Sequence, residues 1–136
     1  MLTIHNVKWI DIPKITDPRG NLAVIEKDTI PFAIKRVYYL FDVPSDASRG
    51  GHAHKEQEEL LIPLSGSFQV TIDDGKNKKS ILLNKPNKGL LITREIWREL
   101  IDFSAGAVCL VVSSGEFDES DYIRDYEEFL IYKNNY

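Results

Sequence analysis

The sequence predicts a mainly β protein, a small barrel or sandwich carrying one C-terminal helix. Three observations lead there. Short apolar runs separated by turn signals fill about residues 7–114, "FQVTI" alternates and stops at "DDG", and beyond Ser120 the apolar spacing changes to three and four. Alternation marks a half-buried strand, and the three-and-four spacing marks one stripe of an amphipathic helix.

The runs follow one another in order. "NLAVIE" comes after "DPRG", "IKRVYYLF" after "IPFA", and "EELLIPL" ends at "SGS"; "SILL", "GLLI", "ELIDF" and "GAVCLVV" continue at similar spacing. Many short strands with frequent turns close most simply into a barrel or sandwich. The helix is expected over about residues 119–133, with Tyr122, Ile123, Tyr126, Phe129 and Leu130 on its apolar stripe. Asp118, Glu119 and Asp121 sit where acids favour a helix start, and Ser120 or Asp118 is the expected cap. Such a helix reads as a lid over one barrel face. The 136 residues and 15.6 kDa fit one domain spanning 1–136.

Composition narrows the function classes. A net charge of −4 argues against a general nucleic-acid binder, whose phosphate-facing surface would be basic. It leaves room for a local arginine cluster serving a small anion. Cys109 is the single cysteine, within an apolar run, and reads as a buried hydrophobe. No apolar run approaches the roughly 18 residues that span a bilayer, and "MLTIHNVKWI" lacks the pattern of a signal peptide. The expected compartment is the cytoplasm.

The chemistry concentrates in "RGGHAHKEQEELLIPLSGS", residues 49–67, which holds two of the chain's three histidines. On an extended strand His52 and His54 point to the same side, as do Arg36 and Tyr38, with Val37, Tyr39 and Phe41 on the opposite face. A cation and a phenol on one face of a barrel strand are costly to bury without a ligand or partners, so a cavity site is expected. From spacing alone the histidine pair could bind metal, move protons or simply fill a strand.

The spacing His52-Ala53-His54, then Glu59, then Gly66, resembles the first motif of the cupins. More specifically, "IPFAIKRVYYLFDV", "RGGHAHKEQEELLIPLSGS", "DDG", "IWRELIDFS" and "DESDYIRDY" resemble the WxcM-like sugar 3,4-ketoisomerases. The resemblance runs from "DPRG" to the C-terminal segment. It implies a double-stranded β-helix (a cupin jelly roll), usually homodimeric, acting without metal on dTDP-4-oxo-6-deoxy-D-glucose in the synthesis of deoxyamino sugars for surface glycans. It also implies that His52 and His54 do acid–base work and that Tyr38 lines their pocket.

A cupin metal site would use His52, His54, Glu59 and a fourth ligand near "IWREL". Arg98 stands there, and a guanidinium has no lone pair to offer. Three protein ligands plus a water can still hold zinc, but a neighbouring cation works against a second one, and the resemblance implies none; no metal and no other cofactor are expected. Proton transfer suits histidine, whose ordinary pKa of about 6.5 lets it accept and return protons near neutrality. One of the two histidines would take the C3 proton, and the other would shuttle between oxygens or reprotonate C4. Tyr38 would orient or relay, and Arg98 would stabilise the oxyanion.

Arg19, Arg36, Arg49 and Arg98 are the candidate phosphate ligands, since the guanidinium fork matches phosphate geometry. Glu59 either points inward beside a histidine or belongs to the exposed acidic run "EQEE". Trp97, adjacent to Arg98, is expected in the core, and "KNKK" at 76–79 in a solvated loop tip. Two other functions remain open: a cupin-type nucleotide-sugar epimerase, which usually pairs a histidine with an aspartate not visible in this sequence, and a non-catalytic nucleotide-sugar-binding cupin. The apolar N-terminal segment is expected to add to a partner's sheet in a homodimer.

Overall fold

The computed structural model describes residues 1–135. Twelve strands appear in chain order: β1 (Lys8–Asp11), β2 (Lys14–Asp17), β3 (Gly20–Ala23), β4 (Arg36–Leu40), β5 (Arg49–His54), β6 (Glu59–Ser65), β7 (Phe68–Asp73), β8 (Lys78–Leu83), β9 (Lys88–Ile92), β10 (Trp97–Ile101), β11 (Val108–Ser113) and β12 (Tyr122–Ile123). One helix, α1 (Tyr126–Asn134), ends the described chain. Two five-stranded antiparallel sheets, β1-β9-β6-β11-β4 and β12-β5-β10-β7-β8, form the jelly roll, and β2–β3 is a separate hairpin.

Alternation explains the core between the sheets. Phe68, Val70 and Ile72 of β7 face inward and meet Leu61, Ile92 and Val111 from the opposite sheet. In β6, Leu60 and Ile62 take the other face and are also fully buried, because Ile12, Ile30 and Phe32 cross over them. This strand therefore reads as a continuous apolar run, as strands covered on both faces do. Cys109 is buried as expected, and burial pushes its thiol up to about 12, so it stays protonated. Among the described residues no helix is long and apolar enough to cross a membrane.

The C-terminal segment differs from its expectation. A 3₁₀ turn over Glu119–Asp121, capped by Asp118, leads into β12, and the helix starts only at Tyr126 with Asp125 as its cap. Tyr122 and Ile123 contributed to the helical spacing, but they pair with His54 and Ala53 at the edge of β5. Tertiary pairing overrides the local pattern there. Two further runs are also shorter than read: strand structure stops at Ala23 within "NLAVIE", and Lys78 and Lys79 of "KNKK" already belong to β8.

Helix α1 covers the outer face of the second sheet, not an end of the barrel. Phe129, Trp97, Ala53 and Ile123 form one buried cluster, which confirms Trp97 as core. Nine residues are too few to hold a helix alone in water, so this cluster supplies most of its stability. Phe129→Ala is expected to lower unfolding free energy by about 3–5 kcal/mol. Urea denaturation tests this, and a loss under 1 kcal/mol, the range of a surface change, would contradict it.

Candidate functional site

A bulge in β5 shapes the site. His52 pairs with Arg98 and Arg49 with Leu100, so three steps on β5 match two on β10. The extra residue reverses the alternation and brings Arg49 to the side occupied by His52. Gly50 absorbs it at φ +71°, where an added Cβ would also meet Leu100 at 3.3 Å. The result is a cleft of about 170 Å³. Arg36, Tyr38 and Leu40 enter it from β4, Arg49 and His52 from β5, Arg98 from β10, and Tyr122 and Arg124 from the C-terminal segment.

Glu59 is the hub beneath the cleft, so the inward-facing alternative holds for it. Its Oε1 lies 2.6 Å from Arg98 Nη2 and 3.2 Å from His54 Nε2. Its Oε2 accepts hydrogen bonds from the Tyr38 hydroxyl (2.9 Å) and the Ser113 hydroxyl (3.0 Å). Burial alone would raise this carboxyl, but the Arg98 charge and the histidine contacts outweigh it and hold Glu59 well below the ordinary range. Tyr38 moves the other way, pushed up to about 12 chiefly by burial, so it remains a neutral phenol and donor.

His52 is the histidine that lines the cleft. Its Nε2 lies 2.9 Å from Arg98 Nη2 and 3.3 Å from Arg98 Nε. Arginine only donates, so Nε2 is the accepting nitrogen and the ring proton sits on Nδ1. Burial first, and the Arg98 charge second, push His52 down to about 4. At neutral pH it is therefore an unprotonated base.

His54 shares that face, its ring 4.9 Å from His52 and 4.5 Å from Tyr122, but it stands behind them and does not line the cleft. Its Nδ1 meets Asp121 Oδ2 at 2.8 Å. A histidine–aspartate pair is thus present, contrary to the sequence reading. The two residues lie 67 apart in the chain, and Asp121 had passed for a helix-start acid. Asp121 also accepts from the backbone N–H groups of Glu56 (2.7 Å) and Gln57 (3.3 Å), which fixes its carboxylate.

His52, His54 and Glu59 are the donor types a metal ion would need, and their ligand atoms lie within 4.8 Å of one another. They nevertheless fit a cation poorly. The Arg98 guanidinium already bonds Glu59 and the His52 lone pair, and a divalent ion would sit against that charge.

The sequence-derived arginines separate. Arg36, Arg49 and Arg98 converge on the cleft. Arg36 Nη1 and Arg98 Nη1 are buried and have no hydrogen-bond partner among the described residues. Within this chain Arg19 does not join them: it is exposed at the β2–β3 tip and bonds Asp17 at 2.7 Å. The hairpin leaves the barrel, which linear proximity could not reveal. Ser113, Asp121, Tyr122 and Arg124 are additional site residues. Ser113 could have been found by continuing the alternation from inward Val111, and Arg124 by its two-residue offset from Tyr122.

Comparison with known proteins fits this geometry. The family described as FdtA, WxcM-like, C-terminal, matches residues 5–134. The chain belongs to this family. It is 46% identical over 126 residues to the TDP-4-oxo-6-deoxy-α-D-glucose 3,4-oxoisomerase of Aneurinibacillus thermoaerophilus, covering 92% of this chain and 91% of that protein. A 3,4-ketoisomerase structure from Helicobacter canadensis superposes with a TM-score of 0.92 at 47% identity, over 95% of this chain and 98% of that one. The sugar 3,4-ketoisomerase QdtA of Thermoanaerobacterium thermosaccharolyticum, solved in complex with TDP, gives 0.95 at 42% identity over 98% of both chains. A histidine mutant of QdtA was solved with TDP-4-keto-6-deoxyglucose, at 0.94 and 42% over 99% of this chain and 97% of that one.

The depressed His52 sets the pH dependence. A base works in its unprotonated form, so lowering its pKa moves the acid limb down. In this family member kcat/KM is expected to stay level as pH falls through 6.5 and to drop only on approaching about 4. An acid limb near 6.5 would contradict the assignment.

Proposed function

We propose that this chain is a nucleotide-sugar 3,4-ketoisomerase that moves the carbonyl of TDP-4-oxo-6-deoxy-D-glucose from C4 to C3. The observation that carries this reading is His52, held unprotonated on the wall of an arginine-lined cleft, in a chain 46% identical to a curated oxoisomerase.

In the proposed sequence His52 takes the C3 proton, and the electron pair moves onto the C4 oxygen to give an enediolate. The proton on the C3 oxygen passes to the C4 oxygen, and protonation of C4 by His52 restores a carbonyl at C3. Proton and electrons balance without a redox partner. The free Nη1 of Arg98 is the donor for the developing oxyanion, a contribution of about 10²–10³-fold for one preorganised donor. Tyr38 stays protonated and orients the oxygens. His54, clamped between Asp121 and Glu59, positions the Glu59–Arg98 pair that in turn holds His52. Arg36 and Arg49 bind the diphosphate, and a cytoplasmic location belongs to the same reading.

The His54–Asp121 pair favours an epimerase as the second reading, because that chemistry uses such a dyad. One experiment separates the possibilities. Incubation with TDP-4-oxo-6-deoxyglucose in D₂O, followed by NMR with and without chelator, should give a 3-oxo sugar in both arms. An inverted C3 or C5 with the carbonyl still at C4 would identify an epimerase. No deuterium at C3 or C4 would leave only a binding role. His52→Asn should slow turnover by about 10²–10⁴-fold while retaining TDP binding.

The proposal includes a homodimer. Val37 and Tyr39 on the outer face of edge strand β4, and Phe41 just beyond its end, are 55–60% exposed, and Ile15 and Leu22 of the hairpin are similarly open. A two-stranded hairpin is marginal by itself, so a second copy covering these residues stabilises both. The N-terminal β1 already pairs with β9 of its own chain, so the apolar surface offered to the partner is that of the hairpin and β4. Light scattering should report twice the chain mass, and a monomeric mass would contradict the dimer.

A further inference from the structure

Residues 76–88, "KNKKSILLNKPNK", carry Lys76, Lys78, Lys79, Lys85 and Lys88 and no acid, in a chain whose net charge is −4. The stretch forms β8, the turns on either side of it and the first residue of β9. Strand order fixes where this charge lies. β8 is the last strand of its sheet, and it meets β1, the last strand of the other. The cleft is lined from β4, β5, β10 and the C-terminal segment, and β4 is the edge of its sheet opposite β1. The basic edge is thus across the barrel from the cleft.

An apolar centre sits among these lysines. Trp9 of β1 is 42% exposed and Leu82 of β8 is 51% exposed. With Asn84, Lys85 and Lys88 they line a shallow depression of about 190 Å³. Lys88 Nζ lies 5.6 Å from the centre of the Trp9 ring and makes only a long contact, 3.9 Å, with exposed Asp11. Lys78 turns instead to the outer sheet face beside Asp73. Lysines on an edge strand also block unwanted strand pairing, which accounts for Lys78 and Lys79. It does not account for Lys85 and Lys88, or for an exposed indole beside them.

The residue types select the partner. The stretch holds five lysines and no arginine. Lysine is a compact charge on a flexible stem and suits a diffuse anionic surface, whereas a pocketed phosphate or carboxylate favours the arginine fork. Protein interfaces are depleted in lysine, and edge lysines discourage an added peptide strand. A nucleic acid would meet the chain's overall negative charge beyond the patch. An indole, by contrast, settles at the headgroup level of a bilayer, and lysine stems extend beside it with their charges in water. We infer that the β1–β8 edge is a docking surface for an anionic lipid bilayer, on which the chain lies without spanning it. Trp9 and Leu82 enter the headgroup layer, and Lys79, Lys85 and Lys88 supply the attraction. The cleft, at the other edge, stays open to solvent. This surface is independent of the isomerase reading.

The test is co-sedimentation of the full chain with phosphatidylcholine vesicles containing about one-third phosphatidylglycerol, against phosphatidylcholine alone. The chain should bind the anionic vesicles and not the neutral ones, and raised salt should release it. A lysine near such a surface contributes about fivefold, so changing Lys79, Lys85 and Lys88 together to Gln should weaken binding by about 100-fold. Tryptophan emission should move to shorter wavelength on binding. Trp97 is buried, so that shift belongs to Trp9 and should vanish in Trp9→Ala. Turnover of the keto sugar should be the same in both variants, since none of these residues lines the cleft. Equal binding to neutral vesicles, no binding to anionic ones, or undiminished binding by the triple variant would overturn the inference. So would duplex DNA or poly-glutamate bound as tightly as the anionic vesicles, which would make the patch a nucleic-acid or acidic-protein site. The vesicle result for the parent chain decides by itself, even if a variant fails to fold.

Discussion

The contact between Glu59 and Arg98 organises this protein's chemistry. Two opposite charges meet at 2.6 Å, both almost fully buried. Removing either would leave an uncompensated charge in the barrel, a loss of about 3–5 kcal/mol for pairs of this kind. The pair also sets three other groups. It supplies the cation that adds to burial in keeping His52 unprotonated, the acceptor for the Tyr38 hydroxyl, and the carboxylate that faces His54. The guanidinium thus occupies the position where this arrangement of histidines and glutamate could otherwise hold a metal ion.

The barrel brings these residues together by ordinary strand rules with one exception. Alternation on β4 delivers Arg36 and Tyr38 to the cleft and leaves Val37 and Tyr39 outside. The exception is the bulge at Gly50, without which Arg49 would lie on the face opposite His52. Asp121 then ties the C-terminal segment to the site, through His54 and through the backbone of the chain that follows β5. The segment bearing Tyr122 and Arg124 is therefore a wall of the cleft, fixed in place before α1 begins.

What the sequence made legible follows from the range of each interaction. Face-sharing of Arg36 with Tyr38 and of His52 with His54 depends only on local alternation, and both hold. Trp97 was readable as core by the same alternation, and Cys109 from the apolar run that holds it. The His54–Asp121 pair, the short helix and the departure of the Arg19 hairpin depend on pairings distant in the chain. Tyr122 and Ile123 carry a spacing that satisfies a helix and a strand edge equally, and only β5 decides between them. The resemblance to sugar ketoisomerases located the histidine motif. The distinct positions of His52 and His54, one on the wall and one behind it, required the structure.

The central claim is that burial, and then the Arg98 charge, keep His52 as a neutral imidazole with its proton on Nδ1. Nitrogen-15 NMR of the histidine side chains reports both properties at once. At pH 7 His52 should show the Nδ1–H tautomer and should begin to protonate only as pH nears about 4. A doubly protonated His52 at neutral pH, or a midpoint near 6.5, would contradict the account.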